Sequence, residues 1–511
     1  MVDARDYHER TKHTPASVRS RAAPLDPTNR PRPDKRYLEI DRIDLEHIRP
    51  TQAPALSTVA QPSVDPYPNE EAQPMSRIDL ATLCYEANGI VQRVEHDGQE
   101  MLFRAASCTG KLYHIDLYLV CGDIEGLDAG VYHFDPTSFS LDVLRQGDFR
   151  GVVAEAIGSR DIGVSEAPVS VILTSTWWRN AWKYRDRTYR HAFWDGGTVI
   201  ANLLASAHGQ GHRAGVVAGF VDDELTRLLG IDPATEAPIS VVPIGEGAPV
   251  ESAPSMSPIT YETAPLSRDP IDYPLIVEAW EQSRLPDGAA VNEWVSSANR
   301  DDRIGRIVDK STESVNLEPV DHETASARPL HATIRRRGSK RSFLDDGPTL
   351  AKVGTVLDRS LVGVPADWND GDATGLTFND SYLLATGIDG LDDGSYRVSP
   401  SASVVERIGD IDRDTKTHLA LGQGYAGEAQ ANVYLMTHLD DVVGRLGNRG
   451  YRAAQLEAGI TLGRLYLAAA AHRTLGGTGL TFFDDLVTDT LSPVAAEQTP
   501  TTLFGFGRID R

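Results

Sequence analysis

Regular hydrophobic spacing is missing from the first 75 residues and begins near Ile78. Residues 1–75 are rich in Pro, Arg, Asp and Thr, which predicts an extended arm and linker. Beyond it, Leu80, Leu83 and Cys84 fall at helical spacing. Residues 115–120 read as a strand, 126–133 as a turn entering a second, and 169–174 as a third. A helix follows through Val199, Ile200, Leu203, Leu204 and Ala207, and Gly209 and Gly211 stop it. Residues 241–245 close the segment as a strand.

The plan then recurs. Gly126-Leu127-Asp128-Ala129-Gly130-Val131-Tyr132 returns as Gly390-Leu391-Asp392-Asp393-Gly394-Ser395-Tyr396, 264 residues later. Arg187-Thr188-Tyr189-Arg190 returns as Arg449-Gly450-Tyr451-Arg452, an offset of 262. At that same offset Asp222-Asp223 becomes Asp484-Asp485, and Val242-Pro243-Ile244-Gly245 becomes Phe504-Gly505-Phe506-Gly507. The expectation is a tandem duplication of an α+β domain. Units at 76–250 and 331–511 are joined by a linker at 251–330 that holds one short helix around 273–281. Two similar units pack most naturally as a pseudo-twofold pair within the chain, with a site at their interface.

Composition narrows the function. The chain has 511 residues, too many for one core. Its 73 acidic against 50 basic residues, net −23, oppose binding to nucleic acid or an anionic membrane, and suit work in high salt. No apolar run reaches membrane-spanning length and the N-terminus lacks a secretory core, so a cytoplasmic setting is expected. Cys84, Cys108 and Cys121 have no metal or disulfide spacing and read as free thiols. Tyr7-His8-Glu9-Arg10-Thr11-Lys12-His13 carries two histidines, but a free polar arm rarely holds a metal geometry.

Against that acidic background, Ile334-Arg335-Arg336-Arg337-Gly338-Ser339-Lys340-Arg341-Ser342-Phe343 gathers five cations, two hydroxyls and a glycine. This set suits a phosphate, or it is a solvated basic patch. An offset of about 270, set by Leu350 and Leu80, places Tyr67-Pro68-Asn69-Glu70-Glu71 opposite it, and Glu246 stands opposite Arg508. One phosphate site is therefore expected, not two. Conversely, the small loop Arg104-Ala105-Ala106-Ser107-Cys108-Thr109-Gly110 faces an unlike Gly371-Asp372-Ala373-Thr374, and Lys183-Tyr184 has no counterpart in Arg445-Leu446. Complementary sets on opposite halves predict a single composite site. Lys183 and Tyr184 suit proton transfer, or else cap a helix end. Neighbours on a helix diverge, so both meet one ligand only if the backbone is irregular there.

Taken together, the 7–13 motif, Ser107-Cys108-Thr109-Gly110, the Gly-Leu repeats, Lys183-Tyr184 and Arg337 to Arg341 resemble the nitroreductase-like flavoproteins, and among them the SagB-type dehydrogenases. The resemblance implies an FMN-dependent oxidoreductase of α+β fold with flavin between two nitroreductase units. Arg337, Ser339, Arg341 and Arg508 would hold the FMN phosphate. Ser107, Cys108 and Gly110 match the family's Pro-Ser-x-Gly loop, with Ser for Pro and Cys for Ser. Gly479-Leu480-Thr481-Phe482 is similar to the loop beside the flavin ring, which assigns Thr481 and Phe482 to the cofactor. Lys183 and Tyr184 match the catalytic pair of azoline-oxidising members. The implied substrate is a peptide-derived azoline or similar small molecule, with a cyclodehydratase as partner. An NAD(P)H-dependent nitro or quinone reductase and a flavin-binding scaffold are the alternatives.

Overall fold

The computed structural model describes residues 2–20, 25–66, 74–96, 99–158, 162–299, 313–320, 328–369 and 375–510. A short strand β1 (Arg42–Asp44) and a separate hairpin, β2 (Ile90–His96) with β3 (Gln99–Arg104), precede the first main sheet. That sheet contains β4 (Ile115–Cys121), β5 (Gly130–Asp135), β6 (Ser140–Gln146), β7 (Val169–Thr176) and β8 (Glu236–Ile244), in the order β1-β6-β5-β4-β7-β8. The second contains β9 (Ser314–Asn316), β10 (Asn379–Ala385), β11 (Gly394–Val398), β12 (Val404–Gly409), β13 (Ala431–Thr437), β14 (Leu475–Leu480) and β15 (Thr499–Arg508), in the order β14-β15-β13-β10-β11-β12-β9. Apart from β14, the two successions correspond strand for strand. β4, β7 and β8 are buried along their whole length, because helices cover both faces of the sheet.

Between the sheets, the helices Thr188–Gly209 and Leu439–Ala471 pack together. Glycines make the approach possible. A Cβ on Gly197 would lie 2.3 Å from the Gly459 carbonyl carbon, and one on Gly459 would lie 2.4 Å from the Phe193 carbonyl oxygen. Gly197 and Gly459 are themselves 262 residues apart, so equivalent positions meet, as they do on a twofold axis.

The repeated charges are exchanged across this axis. Asp484 binds Arg187 at 3.2 Å and Arg190 at 2.8 Å, while Asp222 binds Arg449 and Arg452, each at 2.7 Å. Every one of these six side chains is buried. Tyr189 stacks on Tyr451 at 6.4 Å with an interplanar angle of 8°. The chain also crosses itself reciprocally: the Ala55 N–H donates to the Arg328 carbonyl at 3.0 Å and the Leu330 N–H to the Ala53 carbonyl at 2.9 Å.

Two segments differ from expectation. The N-terminal arm is not extended: Ala4–Thr11 is a helix capped by Asp3, with Tyr7, His8 and Thr11 buried. Arg190 Nη2 donates to the His8 carbonyl at 2.6 Å and Arg187 Nη1 to the Thr11 carbonyl at 2.6 Å. The 251–330 segment is not a plain linker with one helix. It carries the helices Pro274–Gln282 and Gly288–Ala298 as well as β9. There Arg452 Nη2 donates to the Trp280 carbonyl at 2.8 Å and Arg449 Nη1 to the Ser283 carbonyl at 3.2 Å. The two arms serve the two aspartate clusters alike. Buried arginine contacts rather than a long apolar stripe hold the Ala4–Thr11 helix, whereas Gly288–Ala298, which the sequence reading did not expect, does bury a stripe of Val291, Trp294, Val295 and Ala298.

The helix register also shifts. Ser76 and Asp79 form a capping box that starts Arg77–Asn88, and the equivalent helix is Leu350–Ser360, so the offset there is 273, not 270. Positions 64–68 then stand opposite 337–341. Residues 67–71 and 371–374, used in the comparison of halves, lie outside the described set.

Candidate functional site

A cavity of ≈ 400 Å³ opens between the halves. Ser107, Cys108, Gly110, Lys183 and Tyr184 line it from the first half, and Ser339, Arg341 and Thr481 from the second.

The first-half loop is held by one buried carboxylate. Asp195, on Thr188–Gly209, accepts from the Thr109 N–H at 3.0 Å, from Thr109 Oγ1 at 2.6 Å and from Cys108 Sγ at 3.2 Å. His114 Nε2 pairs with it at 2.8 Å. Burial pushes the Cys108 thiol well up, and Asp195 pushes it further, so it stays protonated. Cys108, His114 and Asp195 present ligand-type atoms within 4.8 Å of one another, but the carboxylate is already saturated with donors, which makes this a loop anchor. Gly110 has φ +62, and a Cβ there would stand 3.0 Å from Tyr184 Oη, so glycine admits the phenol.

Lys183 and Tyr184 end the helix Trp177–Tyr184, where Arg185 turns to φ 51. That break lets both neighbours face the cavity. Lys183 Nζ lies 5.3 Å from the Tyr184 ring centroid. Burial lowers the lysine pKa, and the Arg341 and Arg30 charges lower it further. Burial raises the phenol, with Asp195 and Cys108 adding to it. The environments push the pair apart: Tyr184 stays protonated and Lys183 is eased toward the free amine.

From the second half, Arg341 lies 5.5 Å above the Tyr425 ring and, among the described residues, forms no ion pair. Ser339 Oγ stands 3.2 Å from Tyr466 Oη, which also accepts the Gly479 N–H at 2.5 Å. Gln423 Nε2 donates to the Thr481 carbonyl at 3.3 Å.

Three expected cofactor residues stand off the cavity. Arg337 donates to the carbonyls of Ala105 at 3.0 Å and Arg104 at 3.1 Å, tying its segment to the first-half loop. Arg508 pairs with Asp346. Phe482 is buried between Trp194 and Tyr434, with centroids 6.3 and 6.1 Å away. Gly479 and Leu480 end β14 rather than forming a loop. Sequence reasoning missed Asp195, Tyr425 and Tyr466, and it singled out His13 within the 7–13 motif without placing it at the site; all four are on the cavity wall. An aspartate inside the apolar run of a helix was the one available signal.

The pseudo-equivalent position is filled by the chain itself. Counting back 262 residues, Val217 to Gly219 stand where Gly479 to Thr481 stand in the other half. There the Val216 N–H donates to the Pro365 carbonyl at 2.8 Å, and the Asp367 carboxylate accepts the Ala218 N–H at 3.1 Å and the Gly219 N–H at 2.7 Å. Burial pushes Asp367 up to about 6 against the pull of those amides. Trp368 is buried beside it in the sequence, and the Trp294 ring lies against Gly219.

Residues 101–246 match the family model described as the nitroreductase family. The candidate nitroreductase MJ1384 of Methanocaldococcus jannaschii is 24% identical over 174 residues, 34% of this chain and 82% of that protein. The microcin B17-processing protein McbC of Escherichia coli is 26% identical over 141 residues, 27% of this chain and about half (52%) of McbC. A crystal structure of a candidate nitroreductase from Anabaena variabilis superposes with TM-score 0.76 at 25% identity, covering 99% of both chains. No helix among the described residues is long and apolar enough to cross a membrane. The chain therefore has a mixed α/β, nitroreductase-like fold and carries a nitroreductase-family oxidoreductase domain at 101–246.

Proposed function

We propose that the cavity holds FMN and that the chain is an FMN-dependent oxidoreductase dehydrogenating a peptide-derived azoline or a similar small substrate. One observation carries this reading: Lys183 and Tyr184 of one half meet Ser339 and Arg341 of the other around a single cavity. The residues fit the cofactor. A guanidinium without an ion pair, next to a hydroxyl, suits a phosphate in a chain of net charge −23. Leu462, Leu480 and Leu503 offer an apolar wall to a flat ring, and the volume lies in the range of cofactor sites.

When bound, FMN supplies two-electron acceptor chemistry. Lys183, eased toward its free amine, takes the proton from the substrate carbon. Tyr184 remains a phenol and donates a hydrogen bond to the substrate. Asp195 fixes the Ser107 to Gly110 loop so that both stay aligned. Substrate that has lost this proton and a hydride leaves as the aromatic azole. The likeness to McbC, a microcin-processing protein, supports a peptide substrate, to which our reading adds a cyclodehydratase partner; the likeness to MJ1384 supports a nitroreductase, which our alternative reads as an NAD(P)H-dependent nitro or quinone reductase. The same reading takes the chain as two nitroreductase-like units, and the reciprocal aspartate clusters support it.

The test is the absorption spectrum and chromophore content of purified protein. A yellow protein with a single FMN per chain is expected, and Arg341→Ala should release it on dialysis. A colourless protein, or a second FMN equivalent per chain, overturns the single composite site. Turnover of a thiazoline peptide against oxidation of NAD(P)H with menadione separates the two activities.

A further inference from the structure

The helix that carries Asp195 turns one more group toward the cavity. His191 precedes Asp195 by one turn and lines the wall beside Tyr184, with the two ring centroids 4.5 Å apart at 80°. Its tautomer follows from a chain of hydrogen bonds that starts at the carboxylate. Thr109 Oγ1 gives its proton to Asp195 at 2.6 Å, so it accepts from Asn180 Nδ2 at 2.8 Å. This orients the Asn180 amide, whose Oδ1 accepts from Thr188 Oγ1 at 3.0 Å and from His191 Nδ1 at 2.9 Å. Nδ1 therefore carries the proton and Nε2 carries a lone pair. Among the described residues Nε2 has no hydrogen-bond partner and is not sealed from solvent, so the lone pair opens onto the cavity that the ring lines. Burial, with the charge of Arg187 adding to it, holds the imidazole well below its ordinary pKa, which keeps that lone pair free near neutral pH.

The two halves differ here again. Counting forward 262 residues, Asn180, Thr188 and His191 become Val442, Gly450 and Ala453, and Tyr184 becomes Leu446. The half whose equivalent position is closed by Asp367 thus builds the corresponding stretch without this chain of polar groups. Tyr184 Oη likewise has no hydrogen-bond partner among the described residues, and burial keeps it protonated. The open cavity therefore presents a phenol donor beside an imidazole acceptor. Such a pair is complementary to an acceptor beside a donor. An azoline whose carboxyl is joined to a following residue offers that set, because its ring nitrogen and the next amide N–H stand side by side. A nitro group or a quinone offers acceptors alone.

We propose that His191 Nε2 accepts a hydrogen bond from the amide N–H that follows the azoline ring while Tyr184 donates to the ring nitrogen. The site then takes azolines inside a peptide and rejects those that end in a free acid or an ester, or that precede a proline, since none of these has the N–H. This rests on the reading of the cavity as an active site for azolines, and it narrows that class to rings with a residue following them.

The test pairs a thiazoline tripeptide with its depsipeptide analogue, in which oxygen replaces the N–H after the ring. In the wild type the depsipeptide should lose about tenfold or more in kcat/KM, the scale of a lost hydrogen bond that leaves its partner unpaired. His191→Ala, copying the residue of the closed half, should lose a similar factor on the tripeptide and no longer tell the two apart. Two readouts need no turnover. The unreactive thiazole tripeptide and its depsipeptide should differ by a similar factor in Kd for the wild type, a comparison that requires no variant, and should bind His191→Ala alike. The nitrogen NMR resonance of His191 Nε2 should stand where an unprotonated imidazole nitrogen does, and should shift when the thiazole tripeptide is added. Equal treatment of the two thiazoles by the wild type overturns the proposal, as does failure of both to bind, a protonated Nε2 in the free protein, or discrimination that persists in His191→Ala. A colourless protein that still discriminates between the thiazoles sinks the flavin reading and leaves this contact standing.

Discussion

Replacing Asp484 by Asn isolates what the exchanged charges contribute. The carboxylate is buried, and it faces Arg187 at 3.2 Å, Arg190 at 2.8 Å and the His13 N–H at 2.8 Å. The amide removes the negative charge and leaves two buried guanidiniums uncompensated. Breaking a buried pair in this way costs about 3–5 kcal/mol. A chain of 511 residues has an unfolding entropy near 1.1 kcal/mol per kelvin by the usual per-residue value, so the melting point should fall by about 3–5 °C. Asp222→Asn should cost as much, because its two arginines are buried to the same degree. Glu224→Gln is the control: it makes the same charge change at the exposed partner of Arg227 and should cost no more than about 0.5 kcal/mol. Burial opposes ionisation of Asp484, but Arg187 and Arg190 outweigh it and hold its carboxyl well below the ordinary range. Its contribution is therefore complete above about pH 4 and lost as pH falls through the depressed folded value, so the gap between wild type and Asp484→Asn should close in acid. Urea denaturation across pH measures all of this. A loss below about 1 kcal/mol at neutral pH in either aspartate variant refutes the reciprocal clusters as a source of stability.

Lys183→Ala should keep its chromophore while turnover falls by about 10²–10⁴-fold, the usual reach of a proton-transfer group. In the wild type, turnover should rise with pH and level off below the free-lysine value of about 10.4, because burial and Arg341 lower the Lys183 pKa; a plateau at or above that value assigns the base elsewhere. Gly459→Val should destabilise by about 1–3 kcal/mol or more and loosen cofactor binding, since its Cβ would meet the Phe193 carbonyl oxygen at 2.4 Å and force the long helices apart. Gly288→Ala, with nothing within 4 Å of the added carbon, should be nearly silent in the same thermal scan.

Much of this molecule was written in its order of residues. Apolar runs marked the central strands, and matching segments at offsets of 262 to 264 marked two similar halves. Of the residues the sequence reading assigned to a site, Lys183, Tyr184, Ser339 and Arg341 line one cavity. Tertiary structure decided the rest, because it pairs groups that no local pattern connects. Arg337 and Arg341 look alike in sequence, yet two carbonyls of the other half claim Arg337 and leave Arg341 at the cavity. The Arg-x-Tyr-Arg repeats gave no hint that each would reach the other half's aspartate. The N-terminal arm lacked an apolar stripe, so its burial against Arg187 and Arg190 could not be seen before the chain was folded. Asp367 closes one position and His13 opens onto the other for the same reason: a side chain's role depends on what lies across the interface, and sequence spacing carries only what lies along the chain.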